Sequence, residues 1–373
     1  MKVLVLFTYG ISLIDWKKSG LFEREIKLYE KLSNNNVSFT FLTFGGEKDL
    51  IFQNQMNNIK IIPIYEKVNK SKFKIINFLK SLTLPLLMKD IFNEVDIFKS
   101  NQLNGSWILL LAKFIYKKPL FIRTGFNLYE FSKKQNKNIF KILFFKYLTK
   151  FSFKFSDLFT VTSLNDKKNL EDFVNTQTKD IEIRSNWIEL RDYVDLNNRY
   201  DDKLLAVGRL ESQKNFENLI YSLQGSYITL DIVGSGSQKD FLINLSKKLK
   251  VNINFIDYLD NNLLLSTYEK YKYFVLSSMY EGNPKALLEA MSSGCIPIVN
   301  DISSIKEIII DQYNGLVFDF NKISTYKIEN LIFDNKEILN SLSKNAYNTV
   351  VKSNSLNEYI KREATDYRLL IGD

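Results

Sequence analysis

Short runs of β-branched and aromatic residues recur along the whole chain, and longer stretches with apolar positions at helical spacing separate most of them. In the first half the runs lie at 2–7, 38–44, 59–64, 97–100, 120–123, 158–162 and 181–184. In the second half they lie at 204–207, 229–233, 254–256, 273–276, 296–299 and 316–318. Runs of this length and composition read as strands, and the intervening segments of about 10 to 18 residues read as helices. Mostly apolar strands alternating with helices predict parallel sheets covered on both faces, an α/β fold. Ligands in such folds bind beyond the carboxyl ends of the strands, so the residues just after each strand are the chemical candidates.

At 373 residues the chain exceeds one ordinary core, and two domains are expected. The polar stretch 190–202 lacks helical periodicity and marks the break. This gives a first domain at 1–190, a second at 191–355 and a helical tail at 356–373 that packs back toward the first. The two sheets would then face each other across a cleft. No apolar run approaches the roughly 18 residues that a spanning helix needs. The opening strand is too short and too soon polar for a signal peptide. The single cysteine, Cys295, rules out an internal disulfide, which fits a reducing cytoplasm. Its apolar strand-start setting reads as a buried thiol rather than a nucleophile.

The chain has no histidine. That excludes Ser-His-Asp and Cys-His catalysis and every histidine metal site. Acid–base work falls to Asp, Glu, Lys, Tyr or a substrate oxygen. The formal net charge of +9 is uneven: residues 1–190 hold 30 Lys/Arg against 18 Asp/Glu, the rest 21 against 24. A basic first half predicts an anionic partner, for which nucleic acid, an anionic membrane face and a phosphorylated acceptor all qualify. The segment 139–155 is aromatic and basic, with Lys146, Lys150 and Lys154 at helical spacing, and 73–88 resembles it more weakly. Each reads either as an interfacial helix or as a core helix with a solvated lysine stripe.

The densest chemistry is at 280–291, where Glu281 and Glu289 stand eight positions apart with a helix start between them. Asn283 suits an N-cap and Pro284 the first helical position. Free amides around 284–287 would carry the positive end of the helix dipole and bind an anion. Glu289, just over one turn in, would then accept from ribose hydroxyls, with Glu281 nearer a sugar. The alternative is a capped helix with two solvated acids. After the strand at 204–207 comes Gly208-Arg209, with Lys214 five positions on from Arg209. These two cations suit a diphosphate and its departing charge, or else a solvated loop. Gly234-Ser235-Gly236-Ser237 is a glycine turn without the full G-x-G-x-x-G spacing, and reads equally as a tight turn or a substrate contact. In the first half, Gly20 would let backbone approach a ligand, with Arg24 in the charged turn that follows. Asn101-Gln102 ends one strand. Arg123-Thr124-Gly125 ends another, as a site cation or a structural pair.

At these residues the chain resembles the retaining glycosyltransferases of family 4, which have the GT-B fold of two Rossmann-like domains. Their E-x7-E element resembles Glu281 to Glu289, and their G-R-x4-K element resembles Gly208, Arg209 and Lys214. Their junction asparagine resembles Asn186-Trp187-Ile188-Glu189, and their opening glycine loop resembles Gly20 to Glu25. The resemblance implies a nucleotide-sugar donor, retention of anomeric configuration and no required metal or other cofactor. It assigns the diphosphate to Arg209 and Lys214, the ribose to Glu289 and the donor sugar to Glu281. Backbone from Gly282 and Asn283 through Pro284 to Lys285 would meet sugar or phosphate, and the base would lie near 256–259, at Tyr258. Many relatives place a histidine in the first domain. Here Arg123 stands at the corresponding strand end, which fits a front-face mechanism with Arg209 and Lys214 as the main catalysts.

The expectation is a cytoplasmic glycosyltransferase that extends a cell-surface glycan such as capsule or lipopolysaccharide, on a glycan or lipid-linked acceptor. It would touch the anionic inner face of the cell membrane peripherally. The alternatives are a GT-B-fold sugar-nucleotide epimerase or hydrolase and a non-catalytic sugar-nucleotide-binding module. A nicotinamide dehydrogenase lacks its fingerprint after the first strand. Nucleic acid rests on charge alone and is set aside as a partner.

Overall fold

The computed structural model describes residues 1–176, 179–321, 328 and 335–372. Its contacts divide the chain into two units, Met1–Ser185 with Asn357–Asp373, and Asn186–Leu356. The division falls ahead of the polar stretch 190–202 in which composition placed it. The physical reason is that the residues just after Ser185 are already bonded into the second unit: Asn186 N donates to Asn283 Oδ1, Asn354 Nδ2 to Asn186 O, and Ile188 N to Asn354 O, while Tyr200, Asp201 and Asp202 form the exposed opening of a long strand.

The first unit is built on β1 (Lys2–Leu6), β2 (Ser38–Thr43), β3 (Ile59–Pro63), β4 (Ile97–Ser100), β5 (Leu120–Arg123), β6 (Leu158–Val161) and β7 (Glu182–Ile183). They form one sheet in the order β3-β2-β1-β4-β5-β6-β7 with every pairing parallel. The second unit contains β8 (Tyr200–Val207), β9 (Thr229–Val233), β10 (Ile253–Ile256), β11 (Tyr271–Leu276), β12 (Ile296–Asn300) and β13 (Leu316–Phe318). Their order is β10-β9-β8-β11-β12-β13, again parallel throughout.

Each strand order reverses once, between β1 and β4 in the first sheet and between β8 and β11 in the second. In a parallel sheet all carboxyl ends share one edge, and the crossovers diverge at the reversal. A crevice therefore opens there. The sheet interiors are as apolar as that architecture demands: Leu4, Leu6, Phe98 and Ile122 pack in the first, and Leu204, Leu230, Tyr273 and Ile298 in the second.

The tail forms the helix Leu356–Ile371 and packs within the first unit. Tyr367 is fully buried with its ring 6.3 Å from Phe39 and 6.2 Å from Phe121. Lys99, at the centre of β4, is ion-paired with Glu363 of this helix, and its Nζ donates to Tyr367 Oη at 3.1 Å. Arg184 Nη2 donates to Asp366 Oδ1 at 2.7 Å.

One further helix, Leu13–Lys18, was missed by sequence periodicity. Its signal was Ser12-Leu13-Ile14-Asp15: Ser12 Oγ accepts from Asp15 N, and the Asp15 carboxylate accepts from Ser12 N. The helix Phe22–Ser33 therefore follows a second turn, at Gly20, whose φ of +71 suits glycine.

Candidate active site

The carboxyl edge of the second sheet gathers most of the expected donor residues. Gly208 and Arg209 follow β8, Gly234 follows β9, Tyr258 follows β10, and Glu281 lies in the loop after β11. The loops after β8 and β11 flank the strand-order reversal. There Lys214 Nζ donates to Glu281 Oε1 at 2.6 Å, with side-chain exposures of 15% and 10%. The two loops are bound to each other by backbone as well. Met279 N donates to Gln213 O at 2.9 Å, Gln213 Nε2 to Tyr280 O at 2.9 Å, and Ser277 Oγ to Lys214 O at 2.7 Å. The ammonium and the carboxylate are thus held by a fixed scaffold rather than by loose loops.

Glycines bring the neighbouring backbones close. A Cβ at Gly234, whose φ is +150, would sit 1.9 Å from Gly208 O. A Cβ at Gly208 would sit 2.9 Å from Lys214 Cε. The two glycines therefore predict different failures. Gly234→Ala meets unyielding backbone in a strained conformation and is expected to lose about 1 to 3 kcal/mol of stability. Gly208→Ala meets only the flexible Lys214 stem. It is expected to keep its melting temperature while displacing the ammonium and lowering turnover. Urea unfolding alongside initial rates separates the two. Equal behaviour of both variants would show that the turn is not packed in this way.

The helix after Glu281 is Lys285–Ser292, and its N-cap is Pro284, not Asn283. Asn283 is occupied elsewhere: its Oδ1 accepts from Asn186 N at 2.9 Å, and its carbonyl accepts from Asn186 Nδ2 at 2.5 Å. Pro284 has no N–H and its carbonyl receives Leu287 N, so the cap needs no side chain. Asn186, read from sequence only as a junction residue, is therefore the clamp on the 282–284 turn. Lys285 places its ammonium 3.6 Å from the Trp187 ring centroid. Gly282 and Glu289 are buried, Glu289 at 4% exposure, while Arg209 and Tyr258 are exposed. Glu211 accepts from Ser237 N at 3.0 Å and Ser237 Oγ at 2.8 Å, which ties the β8 and β9 turns together. Those bonds hold its carboxyl below the ordinary carboxylate range.

The candidates in the first unit divide. Asn101 and Gln102 follow β4 at the reversal point, and Gln102 Oε1 accepts from Gly125 N at 2.7 Å. Asn101 Oδ1 is buried and accepts no hydrogen bond from the described residues. Arg123 is 6% exposed and sits in a charged cluster. Burial opposes its charge, but Tyr359, Glu25, Tyr29 and Glu363 around it hold it above the ordinary arginine range. All of these groups belong to the first unit. Arg24 is half-buried in the first turn of Phe22–Ser33, and Gly20 precedes that turn.

Two parallel Rossmann-like units, each with a crevice at its strand reversal, define the GT-B class of fold. Solved structures of this architecture match nearly the whole chain. Anabaena HepE in complex with UDP and glucose aligns at TM-score 0.74 and 14% identity, covering 98% of this chain and 99% of that one. Sucrose-phosphate synthase from Thermosynechococcus elongatus aligns at TM-score 0.82 and 15% identity, covering 100% of both. At these identities the likeness concerns the fold. Residues 195–349, within the second unit, match the family described as glycosyl transferases group 1. Among characterised relatives is the Campylobacter jejuni GalNAc-alpha-(1->4)-GalNAc-alpha-(1->3)-diNAcBac-PP-undecaprenol alpha-1,4-N-acetyl-D-galactosaminyltransferase. It is 25% identical over 294 residues, 76% of this chain and 75% of the relative. The family match and this relative both support a glycosyltransferase activity.

Proposed function

We propose that the chain moves a sugar from a nucleotide-sugar donor to a glycan or lipid-linked acceptor in cell-surface polysaccharide synthesis. The transfer retains anomeric configuration and needs no metal. The enzyme works in the cytoplasm, as a peripheral protein at the inner face of the membrane. The observation that carries this reading is the Lys214–Glu281 pair at the strand reversal, with the glycine turns at 208 and 234 beside it. The undecaprenol-diphosphate acceptor in the relative's name and the UDP and glucose bound to HepE point the same way.

In this reading Arg209 and Lys214 hold the donor diphosphate, and the amides of Lys285 and Ala286 add the positive end of the helix. Those amides precede the first intrahelical bonds, which run from Leu287 and Leu288 to Pro284 O. Glu289 accepts from the ribose hydroxyls, Tyr258 stands near the base, and Glu281 faces the donor sugar. The bond from the anomeric carbon to the diphosphate oxygen breaks as the acceptor oxygen bonds to the same face of that carbon. The departing phosphate oxygen takes the acceptor proton. The two cations stabilise the charge that develops on the leaving group.

Glu289→Gln keeps the shape of the helix and removes the charged acceptor. Donor affinity is expected to fall about 10- to 100-fold, the worth of hydrogen bonds to a charged group. A thermal-shift series with UDP-sugars measures it, since a ligand at about 100 times its Kd adds roughly 2.7 kcal/mol to the native state. Unchanged affinity removes Glu289 from the site. Donor turnover equally fast with and without acceptor would favour an epimerase or hydrolase instead.

A further inference from the structure

Three helices of the first unit share an apolar outer face that ordinary core packing does not explain. Trp107, in the helix Ser106–Tyr116, lies between Phe78 of Lys74–Leu87 and Phe144 of Ile139–Phe155, with ring centroids 5.2 and 5.7 Å away. Ser106 and Ser152 are hydrogen-bonded at 2.8 Å, and Tyr116 Oη donates to Pro85 O at 2.6 Å. The helices therefore lie side by side. Each also buries a separate stripe in the core: Leu84 in the first, Ile108 and Leu109 in the second, Phe145 and Leu148 in the third.

The opposite stripes face water. On the 139–155 helix, Phe140, Tyr147 and Phe151 recur at helical spacing with exposures of 78%, 55% and 51%. Leu79 and Leu86 are 55% and 63% exposed on the first helix, and Phe114 is 57% exposed on the second. Isolated exposed apolar residues are normal, but a contiguous face of this kind marks an interaction surface. The 139–155 helix is apolar on its core side and its outer side alike, which is unusual for a helix that meets only water.

The charge on this face identifies the partner. The three helices hold seven lysines and no acidic residue: Lys74, Lys80, Lys141, Lys146, Lys150 and Lys154, with Lys113, which is ion-paired with Asp157 just beyond the third helix. A two-fold pairing of this face with a second copy would set lysine against lysine. Aromatic side chains flanked by lysines fit a surface with an apolar interior and anionic headgroups.

The structure assigns this three-helix face to the surface of an anionic bilayer: the aromatics enter the interface and the lysines contact the headgroups. This deepens the peripheral location in the functional reading and rests on it only for that location. Vesicle binding requires neither donor nor acceptor, so its failure and a failure of transfer are separate results.

Flotation of the full chain with phosphatidylcholine vesicles, with and without phosphatidylglycerol, tests the assignment at low and high salt. Wild type is expected to float with the anionic vesicles and weakly with the neutral ones. The triple variant Phe140→Ser, Tyr147→Ser, Phe151→Ser is expected to lose at least about tenfold in partitioning at both salts, because apolar burial drives insertion. The triple variant Lys141→Gln, Lys150→Gln, Lys154→Gln is expected to lose only the preference for anionic lipid. The altered side chains are largely peripheral to the core, and an unchanged urea midpoint confirms the fold. Absence of wild-type flotation at low salt overturns the proposal, as does wild-type binding by the aromatic variant. Self-association abolished by the aromatic variant, without lipid binding, would assign the face to a second copy.

Discussion

Lys214→Ala is expected to slow transfer about 10²- to 10³-fold, the usual loss when one fixed donor to a developing anion is removed. Lys214 does not gain its position from its own rotamer alone. Its carbonyl accepts from Ser277 Oγ, its amide donates to Glu211 O, and its stem crosses the space over Gly208. The ammonium is therefore already placed before donor arrives, and Glu281 neutralises it meanwhile. Truncation leaves the Glu281 carboxylate part-buried without this partner, so a stability loss accompanies the catalytic one. The two effects can be separated. Adding Glu281→Gln to Lys214→Ala removes the orphaned charge and should restore the urea midpoint, while the rate stays low. Recovery of rate together with midpoint would mean that the pair serves only the fold. A wild-type rate in the single variant would remove Lys214 from catalysis.

Part of this site was readable in advance because it is local. Gly208, Arg209 and Lys214 fall within one strand–turn segment, and Glu281 and Glu289 within one loop and helix, so spacing alone fixes their neighbourhood. Parallel strand topology then sets the segments on one edge. What spacing does not carry is the partner across the fold. Asn283 looked like a cap because capping preferences are local, yet Asn186 occupies both its side-chain oxygen and its carbonyl. Arg123 was open to two readings, a site cation or a structural pair, and the Tyr359 and Glu363 groups that act on its charge lie more than two hundred positions away in sequence. The polar opening of β8 was read as linker because Asp201 and Asp202 break the apolar run, although Lys272 forms an ion pair with Asp201. The 139–155 helix was ambiguous for another reason: apolar residues on two faces satisfy a core and an interface equally, and only exposure separates them.

Lys99→Met is expected to cost about 3 to 5 kcal/mol, the range for removing one partner of a buried ion pair. Lys99 is fully buried at the centre of a four-residue strand, and Glu363 is almost as deep. The loss should lie toward the lower figure, because Arg123 also faces Glu363 and Tyr367 is bonded to it. Hydrogen exchange should rise first in the 356–371 helix, whose hold on the sheet depends on this contact. The double variant Lys99→Met, Glu363→Leu removes both charges and should recover most of the loss. The pH dependence gives an independent sign. In the wild type, burial opposes ionisation of Glu363, but Lys99 and its hydrogen bonds hold the carboxyl below the ordinary range. That contribution is complete above the unfolded carboxylate value of about 4.3 and is lost as pH falls through the folded one. In Lys99→Met, burial acts with less opposition and pushes the same carboxyl upward, so the variant recovers stability by taking up a proton as pH falls. The gap between wild type and variant, read from urea unfolding, should be widest near neutrality and narrow toward about pH 5. A gap that is flat across this range would mean that packing of the lysine stem, and not its charge, ties the last helix to the sheet.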